Sequence, residues 1–301
     1  MKKLAVIDLG SNSIRMSIFA IEEKTIKTLD SYRSVIGLSR GLNVDMCLRE
    51  DAQMRAVDAV LEFKKILEKQ RVENVIFVAT AAVRKAKNQG EFLELMKEKT
   101  GFSIKVITGE QEASIDALAV KETLGIDKGI ICDIGGGSTE LIEVGGGNKV
   151  SIPYGCRSIT EMFFEDGENA DSLSRAEEFL DGEFGAVEWL NVLKGESIVG
   201  IGGTLRAAAR FDMGEDAPKI IENHRISPEK MGEIMDVIIN ATPEEREQIP
   251  AIGKDRADII LAGAVFVKSL IKAICPREFV VADVGVREGA AIDFAQNCGI
   301  I

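Results

Sequence analysis

Hydrophobic residues recur along the chain with two different periods. Short β-branched runs such as "LAVIDLG", "IRMSIFAI", "NVIFVAT" and "IKVIT" predict strands, because buried strands are short and apolar. Between them, apolar residues three or four positions apart predict helices. In "EDAQMRAVDAVLEFKKILEKQ" this apolar face comprises Met54, Val57, Val60, Leu61 and Leu67. The alternation of strands and helices predicts an α/β fold.

The same order of elements begins again in the middle of the chain. The segment "GIICDIGGGSTELIEV" repeats the strand–loop–strand arrangement of the first hairpin, and "ESIVGIGGTLRAAARF" predicts a strand, a glycine turn and a helix. Helical stretches are predicted for "AAVRKAKNQGEFLELMKEKTG", "EQEASIDALAVKETLG", "DRADIILAGAVFVKSLIKAI" and "REGAAIDFAQN", and a strand for "EFVVADVG". A length of 301 residues without a low-complexity linker indicates two domains that share a cleft.

One motif, Asp-(Leu/Ile)-Gly-x-x-Ser, occurs twice, at residues 8–13 and 133–138. Loops of small residues expose backbone N–H groups and hydroxyls, which suit phosphate oxygens. We expect the Asp that ends each preceding strand to hold Mg²⁺ through water. The alternative is two unrelated tight turns, since loops of Gly, Ser and Asn are common. Two copies in equivalent settings favour a pair of phosphate-binding loops.

Composition and charge narrow the chemistry further. The net charge of −12 argues against nucleic-acid binding, which needs a basic surface. The only histidine, His224, has no nucleophile motif around it, so carboxylates are the expected acid/base groups and a hard cation the expected metal. The chain lacks GxxxxGK(S/T), and "GGGSTE" leads into a strand, whereas a dinucleotide-binding loop opens a helix.

Three features predict a cytoplasmic protein without a membrane segment. The start, "MKKLAVIDLG", is too short in apolar residues for a signal peptide. The longest apolar run, "IILAGAVFV", stops at Lys268 well short of a membrane span. Five scattered cysteines without CxxC spacing indicate reduced thiols rather than disulfides or a zinc site.

Six segments in order resemble the exopolyphosphatase/guanosine pentaphosphate phosphatase family of the actin/Hsp70/sugar-kinase superfold. They are "VIDLGSNSIRM", "ATAAVRKAKN", "ITGEQEA", "CDIGGGSTELIEV", "GIGGT" and "VREG". The resemblance runs from about residue 4 to 292 and implies two ribonuclease-H-like domains with an active site in the cleft between them. We expect the family's two-domain core alone, with a first domain of residues 1–122 plus 286–301 and a second of residues 123–285.

The resemblance also implies roles for individual residues. Glu112, in "GEQEA", matches the catalytic carboxylate that orients and deprotonates the attacking water. Asp8, Asp133 and Glu140 match the acids of the two loops, which are expected to hold the metal. The expected phosphate-binding residues are Gly10, Ser11, Asn12, Ser13, Arg84, Gly135, Gly136, Gly137 and Ser138, together with Gly202, Gly203 and Thr204, which open a helix whose N–H groups favour an anion.

These assignments have structural alternatives. Glu112 also fits an acid in the first turn of a helix, stabilised by the helix dipole. Arg84 also fits a solvated helix residue beside two lysines, and the three loop acids fit strand-end turns. We interpret His224 as a structural histidine.

The implied reaction is Mg²⁺-dependent hydrolysis of a terminal phosphoanhydride bond, with Mn²⁺ expected to substitute for Mg²⁺. Inorganic polyphosphate, guanosine pentaphosphate or both are the expected small anionic substrates. Two alternatives stay open: an ATP-dependent kinase or ATPase of the same superfold, and a non-catalytic alarmone-binding sensor. The sequence leaves the oligomeric state open, and a homodimer is one of the states it allows.

The chain departs from the family's pattern at two arginine positions. Many members carry an arginine where this chain has Gly37, in "VIGLSRGL", and another where it has Val284, in "ADVGVREG". With two cations fewer in an acidic protein, we expect fewer phosphate groups to be held at once, and therefore a preference for short polyphosphate chains.

Overall fold

The computed structural model describes residues 2–23, 25–215, 217–218 and 220–300. The chain forms two compact units. Unit 1 comprises Met1–Glu122 and Gly285–Ile301, and unit 2 comprises Thr123–Val284.

Unit 1 is a twisted sheet covered by helices on both faces. Its strand order is β3-β2-β1-β4-β5, in which the first three strands are antiparallel and β4 and β5 run parallel to β1. The strands are β1 (Lys2–Leu9), β2 (Ser13–Glu22), β3 (Thr25–Val35), β4 (Asn74–Ala79) and β5 (Lys105–Val106). The helices are α1 (Leu42–Asp45), α2 (Glu50–Gln70), α3 (Ala81–Lys85), α4 (Gln89–Thr100), α5 (Gly109–Leu124) and the returning α13 (Val286–Asn297).

The two faces of β1 are buried against different helices, as the period of two in a strand requires. Leu4 and Val6 pack with the alanines of α13, whereas Ile7 packs with the apolar face of α2. Asp8 therefore belongs to the face of the sheet that α13 covers.

Unit 2 repeats this arrangement. Its order is β8-β7-β6-β9-β11-β10, in which β6, β7 and β8 are antiparallel, β9 and β11 are parallel to β6, and β10 adds an antiparallel edge. The strands are β6 (Gly129–Ile134), β7 (Thr139–Val144), β8 (Lys149–Ile152), β9 (Ile198–Gly202), β10 (His224–Ile226) and β11 (Phe279–Val281). The helices are α6 (Cys156–Phe163), α7 (Ala170–Gly185), a 3₁₀ helix (Glu188–Leu193), α8 (Gly203–Met213), α9 (Pro228–Asn240), α10 (Pro243–Gln248), α11 (Lys254–Ala257) and α12 (Ile260–Ile274).

The shared order of a hairpin, a third antiparallel strand and two parallel strands is that of ribonuclease-H-like domains. The predicted α/β class and the duplication of this domain are confirmed. Within the described residues, no helix combines the length and the apolar character needed to cross a bilayer.

Two predicted helices are interrupted, and tertiary contacts explain both breaks. The stretch predicted from residue 81 to Gly101 stops at Lys85 and resumes at Gln89, because the N–H of Lys87 donates to Met46 O (2.7 Å) and the side chain of Asn88 bonds the backbone of Leu48. The helix predicted for "DRADIILAGAVFVKSLIKAI" breaks between α11 and α12, where Asp258 accepts a hydrogen bond from Arg157.

The predicted apolar face of α2 is wrong at one position. Met54 is 39% exposed, while Phe63, outside the predicted set, is buried in the core that covers β1. Several buried positions of this helix are alanines, whose small side chains allow close packing but carry a weak hydrophobic signal.

Candidate active site

The two matching motifs form the same hairpin loop. In unit 1 the N–H of Gly10 donates to Ser13 O (3.1 Å), and in unit 2 the N–H of Gly135 donates to Ser138 O (3.0 Å). Each loop joins the first two strands of its sheet, and the side chains of Ser11 and Ser138 are buried. Both loops thus present small residues on a fixed turn at the end of a central strand.

In each unit, the segment after the third strand braces the loop. In unit 1 the N–H groups of Ile36 and Gly37 donate to Asn12 O at 3.0 and 2.9 Å, and the N–H of Ser39 donates to Ser11 O at 2.9 Å. The acceptors in these bonds are carbonyl oxygens of the loop, and a carbonyl oxygen turned toward an anion would repel it. The loop is thereby held with its carbonyls bonded to protein.

The second loop is braced by the start of α6. The N–H groups of Cys156 and Arg157 donate to the carbonyls of Gly135 and Gly136 at 2.9 and 2.8 Å. A Cβ on Gly155 would lie 2.6 Å from Gly135 O, so this close approach requires a glycine. Sequence reasoning missed this contact, since only the glycine before a helix could have signalled it.

Glu112 is a buried carboxylate held by an arginine. Its side chain is 8% exposed, and its Oε2 accepts a hydrogen bond from Arg84 Nη1 at 3.0 Å. The same Nη1 donates to Ile107 O at 2.8 Å, so Arg84 is fixed by the strand-to-helix connection that precedes α5. Arg84 therefore does not behave as a solvated helix residue.

The start of α5 sets the position of Glu112. Thr108 Oγ1 accepts from the N–H of Gln111 (3.1 Å), and Gln111 Oε1 accepts from the N–H of Thr108 (3.0 Å), which is a reciprocal helix cap. The N–H of Glu112 then donates to Thr108 O at 2.9 Å. The carboxylate consequently stands one turn into the helix, where the dipole stabilises negative charge.

The two acids of unit 2 face each other across the hairpin. Asp133 on β6 and Glu140 on β7 are paired residues, so their side chains project to the same side of the sheet. Glu140 is buried and accepts from Ser151 Oγ at 2.6 Å. Ser151, on the neighbouring β8, was not predicted, because its distance in sequence leaves no local signal.

Gly202 brings Asp133 to the start of α8. A Cβ on Gly202 would lie 2.2 Å from Asp133 Oδ1, so the carboxylate lies directly over this glycine. Gly202 has φ +85°, in the left-handed region, and precedes the first residue of α8. Asp133 thus stands beside the N-terminal N–H groups of a helix, which favour negative charge.

The next two residues of α8 are also tightly enclosed. A Cβ on Gly203 would lie 1.7 Å from Arg256 Nη1, so a guanidinium takes the space of a side chain there. Thr204 is buried, and its Oγ1 lies 3.4 Å from Cys156 Sγ. Arg256 was missed by sequence reasoning, and it adds a cation to the predicted anion site at this helix start.

Replacing Gly202 by alanine tests the contact with Asp133. We expect Gly202→Ala to lower kcat/KM at least about tenfold, because the methyl group displaces the carboxylate, and to lower stability by about 1–3 kcal/mol through backbone strain. Gly195→Ala is the matched control, since Gly195 has φ +83° with nothing within 4 Å of a Cβ. Thermal unfolding and phosphate release are measured on both variants. Unchanged kcat/KM in Gly202→Ala would show that the position of Asp133 does not matter.

The cysteine thiols and the imidazole of His224 are the remaining groups that could carry chemistry. Burial raises the pKa of the thiols of Cys132 and Cys156, so both stay protonated. The five cysteines are all free. His224 Nε2 lies 2.8 Å from Asp212 Oδ2, and His224 lies on β10, which pairs with β11.

A family profile and two known proteins are similar in sequence to this chain. The sequence profile of the Ppx/GppA phosphatase family matches residues 17–297. A putative exopolyphosphatase of Haemophilus influenzae is 27% identical over 98% of this chain and 92% of that protein. A guanosine-5'-triphosphate,3'-diphosphate pyrophosphatase of Photobacterium profundum is 34% identical over 72% of this chain, but the match covers 45% of that protein.

A solved structure agrees with the profile. The crystal structure of the Aquifex aeolicus member of the Ppx/GppA family has a TM-score of 0.80 and 29% identity, and the match covers 98% of both chains. The protein described here belongs to the Ppx/GppA phosphatase family, and it is a phosphoanhydride hydrolase.

Proposed function

We propose that this protein releases orthophosphate from the end of inorganic polyphosphate, guanosine pentaphosphate or both, in a Mg²⁺-dependent hydrolysis. The observation that carries the proposal is the pairing of Glu112 with Arg84 in the unit that also holds the first hairpin loop. A buried carboxylate whose orientation is fixed by a guanidinium is a suitable general base for water.

In the proposed reaction, the carboxylate of Glu112 takes a proton from the attacking water. The water oxygen forms a bond to the terminal phosphorus, the bridging P–O bond breaks, and the shortened chain leaves with the bridging oxygen. The transition state of such a transfer is loose, with charge spread over oxygens, so positioning and electrostatics provide most of the catalysis. In unit 1 the backbone groups of the loop at 10–13 are suited to bind phosphate oxygens, and in unit 2 those of the loop at 135–138 and of the start of α8 are suited to the same task.

The candidate metal ligands are a few carboxylates, and Mg²⁺ can be held by so few. Among the described residues, no group of three or more His, Cys, Asp or Glu side chains is arranged to hold a metal. Mg²⁺ does not need such a cage, because it commonly binds one or two carboxylates, waters and substrate phosphates. Asp133 and Glu140, with hard oxygen donors on one side of the sheet, would hold it in unit 2, and Asp8 is the candidate in unit 1. When bound, Mg²⁺ would neutralise charge on the phosphoryl oxygens.

A parallel assay tests the proposed function. Phosphate release from polyphosphate, guanosine pentaphosphate and ATP is measured with and without Mg²⁺. Release from either of the first two in the presence of Mg²⁺ is expected. Turnover of ATP alone would instead support a kinase or ATPase, and tight binding of guanosine tetraphosphate without turnover of any substrate would support an alarmone sensor.

We expect the protein to hydrolyse short polyphosphate chains in preference to long ones. Val284 is buried and apolar where many family members carry an arginine, and the protein has a net charge of −12. We therefore expect few phosphate groups to be held at once. We expect faster hydrolysis of chains of a few phosphates than of chains of hundreds at equal concentrations of chain ends, with distributive release. Added salt should have a modest effect, because few counterions are displaced. Faster, processive digestion of long chains would contradict this expectation.

A further inference from the structure

Arg40 occupies the space that a side chain at position 37 would fill. Gly37 has φ +56°, and a Cβ built on it would lie 2.9 Å from Arg40 Nε and 3.0 Å from Arg40 Cδ. The N–H of Arg40 also donates to Gly37 O at 3.1 Å, which closes the turn. The guanidinium stem therefore folds back over the α-carbon of Gly37.

This turn is fastened to the first hairpin loop. The N–H of Gly37 donates to Asn12 O at 2.9 Å, and the N–H of Ser39 donates to Ser11 O at 2.9 Å. A Cβ lies about 2.5 Å from its own backbone nitrogen, which places Arg40 Nε within about 8 Å of Asn12 O. Arg40 therefore carries an exposed, long side chain on the segment that braces this loop.

Ser39, the residue before Arg40, also favours a phosphate as the ligand. The hydroxyl of Ser39 is buried and has no hydrogen-bond partner among the residues that the structure describes. A buried hydroxyl without a partner costs free energy, and a phosphate oxygen or a bridging water would relieve that cost.

The duplication of the fold supplies an independent comparison. In unit 2 the segment that braces the second loop also carries an arginine, Arg157, whose N–H donates to Gly136 O at 2.8 Å. Gly136 occupies the place in its motif that Ser11 has in the first, and Ser11 O accepts from Ser39, the neighbour of Arg40. In unit 1 the arginine follows the residue that ties the loop, whereas in unit 2 Arg157 itself ties the loop and its buried guanidinium donates to Asp258.

We propose that Arg40 binds a phosphate group of the substrate at the first hairpin loop and so supplies one of the two cations missing from the sequence pattern. The inference rests on the proposed function and adds to it a specificity-determining residue for condensed phosphates. A guanidinium presents a planar fork of N–H donors that matches phosphate oxygens, which a lysine ammonium does not.

Arg49 is a control of the same kind in the same segment. Its Nε lies 3.0 Å from a Cβ built on Gly41, which has φ +72°, so it also folds over a left-handed glycine. Both arginines are exposed. Arg49→Gln removes the same charge and a similar contact with a glycine. That glycine is Gly41, however, and not Gly37, whose N–H donates to Asn12 O.

The experiment measures hydrolysis of tripolyphosphate by the full-length wild type, Arg40→Gln, Arg40→Lys and Arg49→Gln. Binding of tripolyphosphate to each variant, combined with Glu112→Gln to stop turnover, is measured by calorimetry. We expect Arg40→Gln to raise KM and Kd about tenfold with little change in kcat, as loss of a hydrogen bond between charged groups predicts. Arg40→Lys should recover part of the affinity, and Arg49→Gln should match the wild type.

Two results would overturn the inference in distinguishable ways. If the wild type hydrolyses tripolyphosphate and Arg40→Gln has the same KM and Kd, Arg40 has no role in phosphate binding, while the proposed function stands. Equal losses in Arg40→Gln and Arg49→Gln would show a general charge effect and would also exclude the specific role. If the wild type neither binds nor hydrolyses any condensed phosphate, the proposed function fails together with this inference.

Discussion

The Glu112→Gln variant is expected to lose about 10²–10⁴-fold in kcat while its affinity for substrate stays close to that of the wild type. The substitution keeps the shape of the side chain and a hydrogen-bond acceptor for Arg84 Nη1. In the wild type this nitrogen lies 3.0 Å from Glu112 Oε2. It removes the negative charge and the ability to take a proton from water. Phosphate release gives kcat, and calorimetry with tripolyphosphate gives the affinity.

Glu110→Gln separates catalysis from helix stabilisation. Glu110 is an exposed acid in the same first turn of α5, so its loss weakens the favourable interaction with the helix dipole to a similar extent. We expect Glu110→Gln to keep wild-type kcat. Near-wild-type phosphate release by Glu112→Gln, or an equal loss in both variants, would mean that Glu112 has only the structural role.

Removal of divalent metal should have the second largest effect. We expect EDTA to reduce phosphate release by about 10²–10³-fold, since a bound metal is worth several kcal/mol at a phosphoryl group. Mg²⁺ or Mn²⁺ should restore activity and Zn²⁺ should do so poorly, because the predicted ligands are carboxylates. EDTA saturated beforehand with Mg²⁺ is the control for the chelator itself.

A matched pair of variants locates the metal within unit 2. Glu140→Gln should raise the Mg²⁺ concentration needed for half-maximal activity. Glu143→Gln should not, because Glu143 lies three residues along the same strand and hence on its opposite face. Full activity in chelator, or equal behaviour of the two variants, would show that Asp133 and Glu140 are structural acids.

Much of this protein could be predicted from short stretches of sequence. The alternation of strands and helices, the two copies of Asp-(Leu/Ile)-Gly-x-x-Ser and the cap that starts α5 before Glu112 all depend on neighbours a few positions apart. Backbone sterics, side-chain period and turn chemistry act over such distances, so they leave a readable pattern. The mostly exposed edge strand β3 had no such pattern, because it buries too little apolar surface to show one.

Only the tertiary structure decided which side chains meet. Arg84 bonds Glu112 28 residues along the chain, Asp133 lies over Gly202, and Arg256 takes the space beside Gly203. The break after α3 likewise depends on hydrogen bonds to Met46 and Leu48, far back in the chain. Contacts of this kind arise when the sheet and its helices pack, and the residues involved carry no local preference that announces their partner. The sequence by itself determined the type of the two hairpin loops and of the helix that carries Glu112, whereas packing determined that the guanidinium of Arg84 meets the carboxylate of Glu112.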